Sequence, residues 1–396
     1  MEFQKEPSNR NPLTILTIFG TRPEVIKLAP VIEKMREIRE IHSIVVSTSQ
    51  HRQMIEDLIR LFSIKVDYDL NIMTADQSLA DISVRALSAL DSLIQRHRPN
   101  MVIIQGDTTT AFIGALAAFY HKTPVGHVEA GLRSFDKFNP YPEEMNRKMI
   151  SFITDLHFAP TGQNAQNLYK EQIDPSRVFV TGNTVIDSLL SVIRKKNQTL
   201  NRYLPMDMMN SQRLILVTAH RRENWGGPLE NLCCALKDLV RSFRDIEIVY
   251  PVHLNPNVRK TVFAILGHEE RIHLLDPLPY EPFVEAMAKA YLIVTDSGGI
   301  QEEGPSLRKP ILVFRKVTER PEGFSTGGVK LTGVERESVV REASFLLQND
   351  TAYHNMLADH NPYGDGEAAG RIVQSILHYF GLADRPSDFS SVHSDY

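Results

Sequence analysis

Three carboxylates in this sequence stand where a short apolar run gives way to small or turn-forming residues. Asp107 lies in Gln105-Gly106-Asp107-Thr108-Thr109-Thr110, Glu129 in His127-Val128-Glu129-Ala130-Gly131-Leu132-Arg133, and Glu143 opens Pro142-Glu143-Glu144-Met145-Asn146-Arg147. Singly, each has a structural use: Asp107 as a helix cap, Glu143 as the i,i+4 partner of Arg147, Glu129 in a loop salt bridge. Jointly, three acids at strand ends of one domain favour proton transfer. Cations and histidines occupy equivalent places: Arg22 and Lys27 after the first apolar run, His220 and Arg221 in Ala219-His220-Arg221-Arg222-Glu223-Asn224, His253 after the next run, and Arg320 in Thr318-Glu319-Arg320-Pro321-Glu322. A histidine at a strand end beside arginines can shuttle a proton or donate to a leaving phosphate, although most solitary histidines do neither.

Leu292-Ile293-Val294-Thr295-Asp296-Ser297-Gly298-Gly299-Ile300-Gln301-Glu302-Glu303 reads as a strand, a small-residue turn and a helix start. Ser297, Gly298 and Gly299 let the first backbone N–H groups of the helix approach an anion, and a pyrophosphate fits such a turn. Glu303 follows one helical turn later, suited to a ribose diol. The equally open structural reading is an ordinary turn with Ser297 as N-cap.

The elements that must position these groups alternate short apolar runs with amphipathic ones, the pattern of parallel sheets covered by crossover helices. Strands are expected at Leu13–Phe19, Ser43–Ser47, Met101–Gln105, Pro124–Val128, Leu156–Phe158 and Val178–Val180, and again at Arg213–Thr218, Glu247–Tyr250, Ile272–Leu274, Leu292–Thr295 and Ile311–Phe314. The fold class is therefore α/β, with two doubly wound domains and a seam between Thr181 and Ser211. Ligands of such sheets sit beyond the carboxyl ends of strands, so a site between two facing domains would draw on strand-end loops of both. The first turn, Gly20-Thr21-Arg22-Pro23-Glu24, lacks the G-x-G-x-x-G spacing of a dinucleotide site, which argues against NAD.

Composition narrows the partners. With 396 residues and 42% apolar content the chain can bury two cores. Lys plus Arg minus Asp plus Glu is 44 − 48 = −4, giving no electrostatic reason to expect nucleic acid or an anionic membrane. The two cysteines, Cys233 and Cys234, are adjacent and suit neither a disulfide framework nor a metal cluster, so a reducing, cytoplasmic setting is expected. No apolar run reaches the length of a membrane span. Asp67-Tyr68-Asp69 matches the D-x-D of some sugar transferases, but nothing nearby completes a coordination set, and no metal is expected.

Nine strings in order resemble the non-hydrolysing UDP-N-acetylglucosamine 2-epimerases: Gly20–Glu24, Gln50-His51-Arg52, Gly106–Thr110, His127–Arg133, Pro142–Arg147, Thr181-Gly182-Asn183-Thr184, Ala219–Asn224, Asp296–Glu303 and Thr318–Glu322. The resemblance runs from about Leu13 to about Tyr379. It implies two Rossmann-like domains of GT-B type facing across a cleft, at 12–181 and 182–365, a helix over 366–382 crossing back to the first domain, and flexible ends at 1–11 and 383–396. It also implies reversible C2 epimerisation of UDP-GlcNAc to UDP-ManNAc, by elimination of UDP to 2-acetamidoglucal and re-addition, with no cofactor. Asp107, Glu129, Glu143 and His220 match the catalytic set; Ser297, Gly298, Gly299 and Arg320 the pyrophosphate site; Glu303 the ribose contact; Phe283 the neighbour of uracil; Arg22 and Lys27 the reach from the first domain. A homodimer is implied, as is a second UDP-GlcNAc acting as activator, with Gln50, Gln53, Glu143, Arg221 and His253 matching its site. An arginine expected there is Asp76 in this chain, and a carboxylate would repel a diphosphate. The rival readings are a GT-B glycosyltransferase, which needs an acceptor pocket, a catalytically silent nucleotide-sugar sensor, which would have lost a catalytic position, and a hydrolysing epimerase.

Overall fold

A computed structural model describes residues 11–48, 52–73, 77–204, 213–318 and 320–390. The chain divides into two compact units, one built from residues up to Thr184 together with Glu367–Phe389, the other from Val185–Gly366.

The first unit holds strands β1 (Leu13–Phe19), β2 (Ile41–Ser47), β3 (Tyr68–Asp69), β4 (Met101–Gln105), β5 (Val125–Val128), β6 (Leu156–Ala159) and β7 (Val178–Val180). Its helices are α1 (Arg22–Arg36), α2 (Arg52–Leu61), α3 (Leu79–His97), α4 (Thr109–Tyr120), α5 (Glu143–Ile153) and α6 (Gly162–Lys170). The sheet runs β3-β2-β1-β4-β5-β6-β7, and every pairing is parallel. β4 is buried along its whole length, which is why it reads as a continuous apolar run and not as an alternation. Helix α1 starts from a capping box formed by Thr21 and Glu24, with Pro23 in its first turn, and turns Val25, Leu28, Val31, Ile32 and Met35 into the core.

Helix α7 (Thr184–Lys195) leads into the second unit, which contains β8 (Arg213–Thr218), α8 (Gly227–Ser242), β9 (Ile246–Pro251), α9 (Pro256–Leu266), β10 (Ile272–Leu275), α10 (Tyr280–Lys289), β11 (Leu292–Thr295), α11 (Gly298–Glu303), β12 (Ile311–Val313), α12 (Glu322–Ser325), β13 (Val329–Leu331), α13 (Arg336–Gln348) and α14 (Asp350–Asn355). This sheet runs β10-β9-β8-β11-β12-β13, again parallel throughout. Helix α15 (Ala368–Tyr379) belongs to the first unit, where it packs on α1.

In each sheet the winding reverses beside the first strand, between β1 and β4 in one unit and between β8 and β11 in the other. Carboxyl ends at such a reversal splay their loops apart and leave room for a ligand. Gly20–Glu24, Gly106–Thr109, Ala219–Arg221 and Asp296–Gly299 all sit at those four ends.

Several expectations need revision. Strands β3 and β13 escape a sequence reading because edge strands of two and three residues, one with Asp69 and one with Lys330, carry too little periodicity. Asp67 is structural, since its carboxylate accepts the Val45 N–H at 2.9 Å and sets the edge where β3 pairs with β2. Part of the expected seam is helix: α7 buries Val185, Ile186, Leu189 and Val192. The tail from 383, expected to be loose, is held to β7 as far as Phe389. Val180 N–H donates to Asp388, Phe389 N–H donates to the Val180 carbonyl at 2.7 Å, and Arg385 lies over the Phe179 ring. Residues 1–10 and 391–396 lie outside the described residues.

Strands β5 and β6 set His127 directly across from His157, and both are buried. Burial lowers His127 to about 4, and it lowers His157 to about 3, aided by the neighbouring His127. In the unfolded chain both take up a proton near 6.5. The unfolded state therefore binds more protons between that value and the folded ones, so stability is full above pH 6.5 and falls as pH drops towards 4. For His127 alone the loss is about 3 kcal/mol. Urea midpoints measured from pH 7 down to pH 5 should fall more steeply for wild type than for His157→Phe; equal slopes would contradict the assignment.

Candidate functional site

In the first unit the loops after β1 and β4 are tied together by Glu24, which is only 1% exposed. One of its oxygens accepts the N–H groups of Gly20 (2.8 Å) and Thr21 (2.6 Å) and the Thr21 hydroxyl, and the other accepts the Thr108 hydroxyl at 2.6 Å. Gly20 is required by space, for a Cβ there would meet Thr48 Oγ1 at 2.2 Å. Next to this brace stands Asp107. Arg147 donates to its Oδ2 through Nε (2.8 Å) and Nη2 (2.7 Å), and the Asn146 amide donates to its backbone carbonyl at 2.8 Å. Burial raises the Asp107 carboxyl above its ordinary range; Arg147 and Lys27 oppose that, and the charge of Glu129 adds to it.

Glu129 has a left-handed backbone, φ 68°, unusual for a residue with a side chain. Its carboxylate is ion-paired with Lys27 and accepts the Gln105 amide, and the Asn183 amide stands 3.5 Å away. The turn beyond it needs Gly131: φ is +85°, and a Cβ would meet the Asn164 carbonyl at 2.2 Å. His127 carries its proton on Nε2, since its partner at 2.7 Å is the Gly106 carbonyl, which can only accept. Glu143, the first residue of α5, does not pair with Arg147 as its spacing suggests. Arg147 turns to Asp107 and Glu144, and among the described residues the buried Glu143 Oε2 has no hydrogen-bond partner. Arg22 is the first residue of α1, next to the same brace.

In the second unit the corresponding brace is Asp296, fully buried after β11. It accepts the N–H groups of His220 (3.0 Å) and Arg221 (2.9 Å) and the Asn224 amide (3.0 Å). His220 Nδ1 lies 3.6 Å from Asp296 Oδ1, and the ring stacks on His253 with centroids 5.5 Å apart. Burial lowers the His220 value, Asp296 works against that, and His253 and Arg221 reinforce it. Ser297 is the N-cap of α11, but its side chain makes no capping bond. A Cβ on Gly298 would lie 3.6 Å from an Arg221 guanidinium nitrogen, so a cation stands beside the amino end of α11. Glu303 is buried and accepts the Tyr280 hydroxyl at 3.2 Å from α10, which also carries the half-buried Phe283. Arg320 is ion-paired with Glu302, and Thr318 donates to Gln301 at 2.7 Å. Among the described residues no group of three His, Cys, Asp or Glu side chains is arranged to hold a metal, and no helix is long and apolar enough to cross a membrane. Gln50 lies outside the described residues, as do Asp76 and the side chain of Gln53.

A family profile described as UDP-N-acetylglucosamine 2-epimerase matches residues 33–377. The chain belongs to that family. It is 48% identical over 379 residues to the UDP-N-acetylglucosamine 2-epimerase of Bacillus subtilis, covering 96% of this chain and 99% of that protein. The structure of the UDP-GlcNAc 2-epimerase from Neisseria meningitidis bound to UDP-GlcNAc superposes with a TM-score of 0.84 at 44% identity, over 92% of this chain and all of that one. The Methanocaldococcus jannaschii UDP-GlcNAc 2-epimerase in complex with UDP-GlcNAc and UDP gives 0.75 at 32% identity, over 93% of this chain and all of that one.

Sequence reading of this epimerase-family chain missed Glu24, Asp296, Glu144 and Asn224. One signal was available for Glu24, the Thr-x-x-Glu spacing of a capping box. Asp296 and Asn224 carried none, because their pairing links residues 72 positions apart. Replacing Asp296 by Ala leaves two backbone N–H groups and one amide without their acceptor. We expect a loss of about 2–4 kcal/mol of unfolding free energy in urea titrations, while Asp296→Asn loses less; a change within about 0.5 kcal/mol for Asp296→Ala would return Asp296 to a marginal role.

Proposed function

We propose that the protein epimerises UDP-N-acetylglucosamine at C2, reversibly and without hydrolysis. What supports the reading most is the pair of half-buried carboxylates, Asp107 and Glu129, at the carboxyl ends of the neighbouring strands β4 and β5, each matched with its own cation in a chain of this family. A base removes the C2 proton while the bond between C1 and the UDP oxygen breaks, UDP leaves with the electron pair, and 2-acetamidoglucal remains. A proton is then delivered to the opposite face of C2 as the UDP oxygen re-forms its bond to C1. Two faces require two proton carriers. Asp107, with its carboxyl raised by burial, Glu129, and Glu143, with one unpartnered oxygen, supply the candidates. In the second unit, Ser297, Gly298, Gly299 and Arg320 would hold the diphosphate, Glu303 the ribose and Phe283 the uracil, with His220 assisting UDP departure; in the first unit, Arg22 and Lys27 would add positive charge beside the acids.

In D2O, proton NMR of UDP-GlcNAc incubated with the enzyme should show UDP-ManNAc carrying deuterium at C2, with no added cofactor or metal. Retention of the C2 proton, or free ManNAc as the main product, would defeat elimination and re-addition. Asp107→Asn, Glu129→Gln and Glu143→Gln should each lower kcat by about a hundredfold or more with the fold intact. His220→Asn should lower kcat as well, with part of its effect in UDP affinity.

The reading extends to a homodimer and to activation by a second UDP-GlcNAc, weakened by Asp76; the stacking of the His253 ring on the His220 ring is in keeping with it. Progress curves started from UDP-ManNAc should show a lag that trace UDP-GlcNAc shortens. Curves with neither lag nor stimulation would mean that this chain has no activator.

A further inference from the structure

A carboxyl that hands a proton to carbon must keep one oxygen aimed at substrate, and Asp107 is built for that. Among the described residues only Oδ2 is engaged, and both contacts come from one guanidinium, through Nε and Nη2 of Arg147. Oδ1 makes no hydrogen bond among the described residues. Arg147 is itself fixed. Its third nitrogen, Nη1, donates to Glu144 at 3.2 Å, and Glu144, fully buried, accepts the N–H groups of Ser134 (2.9 Å) and Phe135 (3.1 Å). Burial pushes Glu144 up, yet those two N–H groups and Arg147 outweigh it, so Glu144 stays below the usual carboxylate range and is charged at neutral pH. Asn146, on the same helix, clamps the Asp107 backbone, so α5 holds both the main chain and the side chain of this residue.

We infer that Arg147, held by Glu144, is the positioning residue that commits Oδ2 of Asp107 to the protein and leaves Oδ1 to exchange the proton with substrate, an inference that rests on the acid–base role proposed for Asp107. Two guanidinium nitrogens converging on one oxygen hold Oδ2 from two directions, a geometry that the point charge of a lysine ammonium does not reproduce. The same contact steadies the ionised form against burial and against Glu129, while Lys27 contributes from α1. Arg147 thus has two separable effects, orientation and charge.

Two variants separate them. Arg147→Lys keeps the charge and loses the fork: kcat should fall about tenfold or more with little change in KM, and the limb of the pH profile that reports Asp107 should stay in place. Arg147→Met loses both: kcat should fall at least as far and that limb should move to higher pH. The Asp107 carboxyl, followed by 13C NMR of labelled aspartate, should titrate at higher pH in Arg147→Met than in wild type. Should Arg147→Met fail to fold, Arg147→Lys and Glu144→Gln carry the test, the latter with a smaller loss of kcat and the same sparing of KM. An unchanged kcat in Arg147→Lys, or a loss confined to KM, would overturn the inference, as would an Asp107 titration identical in wild type and Arg147→Met. Near-wild-type turnover in Asp107→Asn would instead sink the acid–base role and the inference with it, which distinguishes the two failures.

Discussion

Both units depend on a carboxylate buried where charge is costly and kept there by backbone N–H groups. Glu24 in one and Asp296 in the other each accept two consecutive main-chain donors from the loop that follows the first strand of its sheet. Each also reaches the strand on the other side of the winding reversal, Glu24 through Thr108 and Asp296 by standing directly after β11. Loops at such a reversal would otherwise diverge, and their backbone donors would be left to water. The brace fixes the separation at which the remaining loop atoms can meet a ligand. A buried carboxylate left without its donors costs several kcal/mol, so neither brace tolerates piecemeal change.

On that frame the first unit sets two acid–cation pairs side by side, Asp107 with Arg147 and Glu129 with Lys27. The balance differs between them. Asp107 is raised by burial and by its acidic neighbour, and its cation restrains the rise. Glu129 is fixed by Lys27 and Gln105 on a left-handed backbone. The two carboxyls stand in unlike surroundings, close enough for the charge of Glu129 to act on Asp107.

The second unit has a different electrostatic character. Asp296 is held by main-chain donors, Glu302 is paired with Arg320, and burial together with the stacked His253 lowers the His220 value. An Arg221 guanidinium nitrogen would lie 3.6 Å from a Cβ on Gly298, at the small-residue turn that opens α11.

The sequence by itself determined the class of fold, the order of most strands, the strand-end location of the reactive residue types and the family, because apolar periodicity and short ordered motifs are local properties of the chain. It determined that Asp107, Glu129, Glu143 and His220 occur at strand or helix ends. It did not determine their partners. That Arg147 turns from Glu143 to Asp107, 40 positions away, that Lys27 meets Glu129 across 102, and that Asp296 is a brace and not a spare acid were decided by the sheets. The short edge strands β3 and β13 and the docking of the tail on β7 were decided there as well. Hydrogen bonds and desolvation depend on what parallel pairing brings within 3 Å, and the spacing of residues along the chain carries no record of that distance.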